Sequence, residues 1–153
     1  MKKQLNKNLI ERFSRQIILK NIGTLGQKKI LSSKVLIIGA GGLGCPAAEF
    51  LTRAGVGKLG VIDYDKVNLS NLHRQTLYTK KDIGKSKVLI VKKILNRINP
   101  NTKVQTYNLK LNNINFKKII NKYDYIVDGS DNFRTKFLLN DFCVKYKKFL
   151  SSG

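Results

Sequence analysis

Short runs of β-branched and other apolar residues alternate along this chain with longer segments whose apolar positions recur every three or four residues. The runs at 35–38, 58–62, 103–107, 125–127 and 149–150 predict strands, and 43–54, 85–97, 114–121 and 133–146 predict helices. Ahead of them, 8–20 carries Ile10, Phe13, Ile17 and Ile18 at roughly helical spacing, which predicts a helix lying outside the main sheet. Continuous Val/Ile strands separated by helices are parallel strands buried on both faces. The expected fold is α/β: a Rossmann-like, doubly wound, mainly parallel sheet flanked by helices, with an N-terminal helical segment. Ligands of such sheets bind beyond the carboxyl ends of the strands. Asn99-Pro100-Asn101 stops the helix before the third strand, because proline disfavours a helical residue ahead of it.

At 153 residues and 42% hydrophobic, the chain suits one domain spanning 1–153. Ser151-Ser152-Gly153 follows an apolar strand where a doubly wound domain turns into its next element, so the expectation is a domain truncated at its C-terminal end. The net charge of +21 raises nucleic acid or an anionic membrane as partners. The cations are mostly Lys, with Arg only at 12, 15, 53, 74, 97 and 134, in a chain crowded with Asn and Ile. That bias follows A- and T-rich codons, and no aromatic-interleaved basic stripe accompanies it. The expectation is a charge spread over solvated faces, with no specific nucleic-acid partner; functional anion or nucleic-acid binding is the alternative.

MKKQLNKNL leads into no apolar core of a signal peptide, and no stretch approaches the ~18 apolar residues of a membrane span. A cytoplasmic protein without a membrane partner is expected. Cys45, Cys143 and the single His73 build neither a disulfide framework nor a zinc site, so both thiols are expected to be packed.

The first strand runs into Gly39-Ala40-Gly41-Gly42-Leu43-Gly44, a G-x-G-x-x-G loop opening a helix with Pro46 in its first turn. Gly39 and Gly41 permit a tight turn and close approach of backbone to phosphate, and Gly44 lets the helix pack on the strand. The helix N-terminus favours an anion. Asp63, closing the second strand, has the position and type of a ribose acceptor; a helix cap or surface carboxylate is its alternative. Asp65 carries less weight as a ligand contact.

To this point a nicotinamide-dependent oxidoreductase fits equally well. Ser70-Asn71-Leu72-His73-Arg74-Gln75 then places amide and guanidinium donors just beyond the ribose strand, where Arg74 can fork onto phosphate oxygens. Lys87, at a helix start, adds a point charge. In Asp128-Gly129-Ser130-Asp131-Asn132, Asp131 either binds magnesium or caps the following helix, and Asn132 could hold a phosphate or nucleobase.

RFSRQI at 12–17, LGQKK at 25–29, the glycine segment to 57, D-x-D-x-V-x-x-SNL-x-RQ at 63–75, D-x-G-x-x-K at 82–87, NP at 99–100 and DGSDNFRTKFLLND at 128–141 occur in order along nearly the whole chain. Together they resemble the sulfur-carrier adenylyltransferases, the ThiF-type and molybdopterin-synthase-activating enzymes, which are similar to the adenylation domain of ubiquitin-activating enzymes. The resemblance implies attack by the C-terminal glycine carboxylate of a ubiquitin-like sulfur-carrier protein on magnesium-bound ATP, giving an acyl-adenylate and pyrophosphate. It implies that Gly42 meets the nucleotide, Asp63 the ribose, Asn71 and Arg74 the phosphates, Lys87 the reacting region and Asp131 the magnesium. Arg15 matches an arginine that reaches the opposite subunit's triphosphate in the family's homodimers.

His73 stands where relatives carry an amide and reads as surface variation. Zinc is expected only in a C-terminal part beyond residue 153. Molybdopterin, thiamine and tRNA-thiolation pathways share these motifs. A truncated, non-catalytic partner subunit of a complete relative is the alternative role.

Overall fold

The structure, a computed structural model, describes residues 5–153. Its five strands are β1 (Lys34–Ile38), β2 (Lys58–Ile62), β3 (Lys103–Tyr107), β4 (Tyr125–Asp128) and β5 (Phe149–Ser152). They form one sheet in the order β3-β2-β1-β4-β5, with every pairing parallel. The order reverses at β1, and the C-terminal ends of β1, β2 and β4 therefore share one edge, the place a doubly wound sheet offers a ligand.

Side-chain alternation divides the strands between two cores. Val35, Ile37, Leu59, Val61 and Val104 face α4 (Gly44–Ala54) and α5 (Lys87–Ile98), where Cys45, Ala48, Val88, Val91 and Leu95 are buried. Leu36, Ile38, Ile62 and Ile126 face α6 (Asn113–Ile120) and α7 (Phe133–Lys145), through Phe116, Ile120, Leu139 and Cys143. Tyr123 fills the middle of this second core against Gly60, where a Cβ would collide with its hydroxyl. That hydroxyl lies 3.0 Å from the hydroxyl of Tyr107.

The helix expected over 8–20 is broken into α1 (Lys7–Arg12) and α2 (Ser14–Ile17), and the pattern missed α3 (Gly23–Ser32). The break has a packing cause. Phe13, at the junction, is 2% exposed, and its ring occupies the space that a Cβ on Gly55 would need. Gly55, at φ 92°, terminates α4 in the left-handed region. Its neighbour's carbonyl, Ala54 O, accepts hydrogen bonds from Gln16 Nε2 at 3.2 Å and Gln27 Nε2 at 3.0 Å. Arg12 Nη2 likewise donates to Ile98 O at the end of α5, 2.7 Å away. The N-terminal segment thus binds the orphan C-terminal carbonyls of the helices it crosses.

Both thiols are packed, as expected. Burial raises the pKa of Cys45, while Sγ donates to Ala40 O at 3.3 Å. Burial also pushes Cys143 up to about 11. Among the described residues no helix is long and apolar enough to cross a membrane.

Candidate functional site

The loop after β1 is fixed by main chain before any side chain acts. Gly39 N donates to Ile62 O and Gly129 N to Ile38 O, both at 2.8 Å, joining the ends of β1, β2 and β4. Gly39, at φ 88°, is the loop's left-handed residue, and a Cβ there would stand 2.8 Å from Gly129 O. A Cβ on Gly44 would run into Gly39 O, so the two glycines close the loop on itself. Gly44 packs mainly against that loop and only secondarily against Ile37 of the strand, which sharpens the expected helix-on-strand role.

Gly41 and Gly42 differ from their neighbours. Neither has a positive φ, contrary to the turn role expected for Gly41, and a Cβ on either would meet nothing closer than 3.5 Å. The fold itself does not require glycine there; what glycine provides is open space above the backbone. The N–H groups of Gly41, Gly42 and Leu43 have no hydrogen-bond partner among the described residues. They stand at the N-terminus of an 11-residue helix, where the peptide dipoles leave partial positive charge.

Asp63 is 9% exposed and holds the next loop to this one: Oδ2 accepts from Ala40 N and Oδ1 from Asp65 N, each at 2.7 Å. A carboxylate offers about four acceptor sites, so both oxygens retain capacity for a diol. Asp65, given little weight in the sequence, turns out to pair with Lys87: Oδ2 accepts from Nζ at 2.9 Å. Lys87 is 4% exposed, its stem buried at the start of α5 and its N–H donating to Asp65 O at 3.0 Å. Burial in so basic a chain separates this lysine from the solvated ones.

Beyond β2, Leu69–Asn71 forms a 3₁₀ turn that Asn71 closes by accepting Asn68 N at 3.0 Å. Arg74 then bends back, donating from Nη1 to Ser70 O at 3.0 Å, and its stem lies over Gly42. A guanidinium is therefore laid across the open part of the glycine loop. His73 is exposed, with Nε2 3.3 Å from Arg74 Nη1.

After β4, Asn132 rather than Asp131 caps α7, accepting Thr135 N at 2.9 Å. Asp131 therefore does not cap the helix; its carboxylate is exposed and has no hydrogen-bond or ionic partner among the described residues. It also engages the Asn132 oxygen in the fold, leaving the side-chain NH₂ for a ligand. The adjacent carboxylate, Asp128, is 2% exposed and saturated: Oδ1 accepts Ser130 N and Oγ, and Oδ2 accepts Lys136 Nζ and Ser152 Oγ, both at 3.2 Å. Sequence reading passed over Asp128, although a carboxylate ending a buried strand is a signal for such a network. Arg15 lies elsewhere, exposed on α2 and without an ion pair among the described residues.

No group of three or more His, Cys, Asp or Glu side chains gathers to cage a metal among the described residues. Asp131 still fits magnesium of one kind, since that ion is commonly held by one or two carboxylates together with substrate phosphates and water. The arrangement thus offers free amides, a guanidinium and a buried ammonium for an anion, an acceptor for a diol, and one free carboxylate.

Comparison with known proteins places these features in context. The ThiF family matches residues 13–153. The adenylyltransferase and sulfurtransferase MOCS3 of Aedes aegypti is 48% identical over 150 residues, covering 98% of this chain and 34% of that protein. A sulfur carrier protein adenylyltransferase of Thermus thermophilus is 44% identical over 147 residues, covering 96% of this chain and 54% of its own. Among solved structures, the E. coli tRNA N6-threonylcarbamoyladenosine dehydratase TcdA in complex with ATP has a TM-score of 0.89 at 25% identity, covering 98% of this chain and 61% of that one. This chain therefore spans about a third to a half of the length of these curated relatives.

Proposed function

The chain belongs to the ThiF family, and on that premise we propose that residues 1–153 are the ATP-binding part of an enzyme that adenylates the C-terminal glycine carboxylate of a ubiquitin-like sulfur-carrier protein. The observation that carries the reading is the set of unpartnered amides at Gly41, Gly42 and Leu43 beneath Arg74, over two glycines that the fold itself does not need. The naming of the Aedes and Thermus relatives as adenylyltransferases supports it, as does the ATP complex of TcdA.

In this reading ATP is a substrate. Asp63 accepts the ribose hydroxyls, Asn71 and Ser70 border the phosphates, and the loop amides with Arg74 and Lys87 face the triphosphate. The carrier's carboxylate, ionised at neutral pH, adds to the α-phosphorus through an oxygen lone pair; the bond to the bridging oxygen breaks, and pyrophosphate leaves with that electron pair. The nucleophile needs no base. Rate enhancement then rests on neutralising and aligning charge, which fixed donors supply without reorganising. Magnesium, held by Asp131 and the phosphates, would supply further neutralisation of the triphosphate. Asp65 holds the Lys87 ammonium at the mouth of the site before substrate arrives. Arg15 completes the site of a second subunit in a homodimer. The sulfur carrier of molybdopterin synthesis fits the MOCS3 likeness best among the pathways that share the motifs.

The test is exchange of labelled pyrophosphate into ATP in the presence of a carrier ending in glycine, together with calorimetric ATP binding. Carrier-dependent exchange that falls at least a hundredfold in Arg74→Ala and Asp131→Ala is the expected outcome. Tight NADH binding without ATP binding would return the glycine loop to hydride-transfer chemistry. ATP binding without exchange would leave the role of a non-catalytic partner subunit.

A further inference from the structure

The lysines that begin the first three strands stand in one row. Lys34, Lys58 and Lys103 are direct register partners across β1, β2 and β3, so their side chains leave the sheet from the same face. That face is the one beneath α6: Lys58 Nζ lies 4.6 Å from the centroid of the Tyr123 ring. Adjacent strands run about 4.8 Å apart, and like charges placed opposite one another destabilise a sheet. Lys122 acts on Lys58 as a further like charge. Burial, then Lys103, Lys122 and Lys34, all lower the pKa of Lys58, and the opposing pull of Asp124 is smaller than any of these. None of the four lysines has an ion-pair partner among the described residues.

The basic track continues along the chain. Asn121, next to Lys122, lines a groove of about 690 Å³ between α6 and α7, together with Lys117, Lys118 and the rings of Phe142 and Tyr146. These rings stack with centroids 5.7 Å apart. Composition alone reads the lysines as scattered over solvated faces, but strand register gathers residues far apart in sequence into an ordered array.

We propose that the Lys34–Lys58–Lys103 row is a binding site for a multivalent phosphate anion, on the sheet edge opposite the glycine loop. Roughly 13 Å of strand separates the two edges. Successive phosphates meeting successive strands would remove the like-charge repulsion that the fold otherwise bears. The cation over Tyr123 holds the centre of the row in place, and the neighbouring groove offers aromatic faces to whatever is attached to the phosphates. The same chemistry is carried by a free polyphosphate and by the backbone of a single-stranded nucleic acid.

The whole chain is titrated with inorganic tripolyphosphate and with a twelve-nucleotide single-stranded RNA. Wild type is compared with Lys34→Gln/Lys58→Gln/Lys103→Gln and with a charge-matched control, Lys29→Gln/Lys80→Gln/Lys92→Gln, at three exposed positions outside the row. The row variant is expected to bind at least one probe tenfold or more weakly than the control. For the RNA, the slope of log K against log salt falls by about 2, three phosphates at roughly 0.7 each. Loss confined to tripolyphosphate identifies a free polyanion as the ligand, loss confined to RNA identifies a nucleic acid, and either supports the site. Equal affinities of row and control variants for both probes overturn it. Should the triple variant fail to fold, Lys103→Gln at the sheet edge reads the same comparison against Lys92→Gln. Pyrophosphate exchange at the opposite edge stays unchanged in the row variant, so failure here and failure of the adenylation reading are separate results.

Discussion

Gly42 and Gly44 lie two positions apart in one loop, yet they are glycine for different physical reasons. At Gly44 a side chain would occupy the position of Gly39 O, so Gly44→Ala must displace the main chain that joins β1 to α4. We expect it to cost about 3 kcal/mol or more, within the range for core overpacking and forced backbone shifts, read as a lower urea midpoint. At Gly42 a Cβ would make only ordinary contact, 3.5 Å from Arg74 Cδ and Cγ. Gly42→Ala should therefore stay within about 0.5 kcal/mol of wild type and weaken ATP binding tenfold or more by calorimetry. Equal ATP affinity in Gly42→Ala would remove the glycine loop from the nucleotide site. The sequence pattern marks both glycines alike, because G-x-G-x-x-G records residue types and not what each missing side chain would have touched. The Asp65–Lys87 pair escapes the pattern for a similar reason, since its partners meet only when α5 returns across β2. Asp63 and Arg74 were legible because their offset from a recognisable strand fixes which edge of the sheet they reach.

The strands were read almost to the residue, because four of them are short apolar runs between polar punctuation and the fifth alternates. The N-terminal helices were not, because Phe13 leaves the helical stripe to cover Gly55, a contact with no local signature. α7 carries two tests of how an element is held. Lys136 joins it to the ends of β4 and β5 through Asp128, Ser152 and the Gly153 carbonyl. Lys136→Met leaves a 2% exposed carboxylate without its cation, and about 2–3 kcal/mol of stability should go with it, less than for a fully enclosed pair because Lys136 keeps partial solvent access. Urea unfolding checks the loss; a change below about 0.5 kcal/mol would mean that water replaces the lysine. Cys143, on the inner side of the same helix, has its pKa raised from 9.0 to about 11 by burial. A thiol with a higher pKa in the folded chain contributes its full stabilisation below about pH 9 and loses it as pH rises toward 11. Stability measured between pH 9 and 11 should accordingly fall more steeply in wild type than in Cys143→Ala. Parallel slopes would show that the thiol also stays protonated when unfolded, or that it ionises equally in both states.

At the scale of the whole molecule, the sheet is covered unevenly. On the side of α4, β4 and the edge strand β5 present Tyr125 and Phe149, stacked at 5.2 Å and 44% and 69% exposed, beside a groove of about 330 Å³ that reaches Leu51. Leu43, just ahead of α4, and Phe50 within it are also exposed. Apolar surface of this kind marks an interaction face, and the homodimer proposed above is tested through Arg15. Arg15 makes the crossing testable, because it and Asp131 are proposed to serve the same ATP from different subunits. Arg15→Ala and Asp131→Ala homodimers should each be inactive in pyrophosphate exchange, since every site lacks one group. In a mixed dimer, one site has lost both groups, while the other receives Arg15 from one subunit and Asp131 from its own and is intact. Random exchange of subunits makes half the dimers mixed, each with one of two sites working, so an equimolar mixture should recover about a quarter of wild-type activity. Had Arg15 acted within its own chain, each subunit would carry a defective site and mixing would recover nothing. The recovery should appear at the rate of subunit exchange and vanish when the two variants are cross-linked as homodimers before mixing.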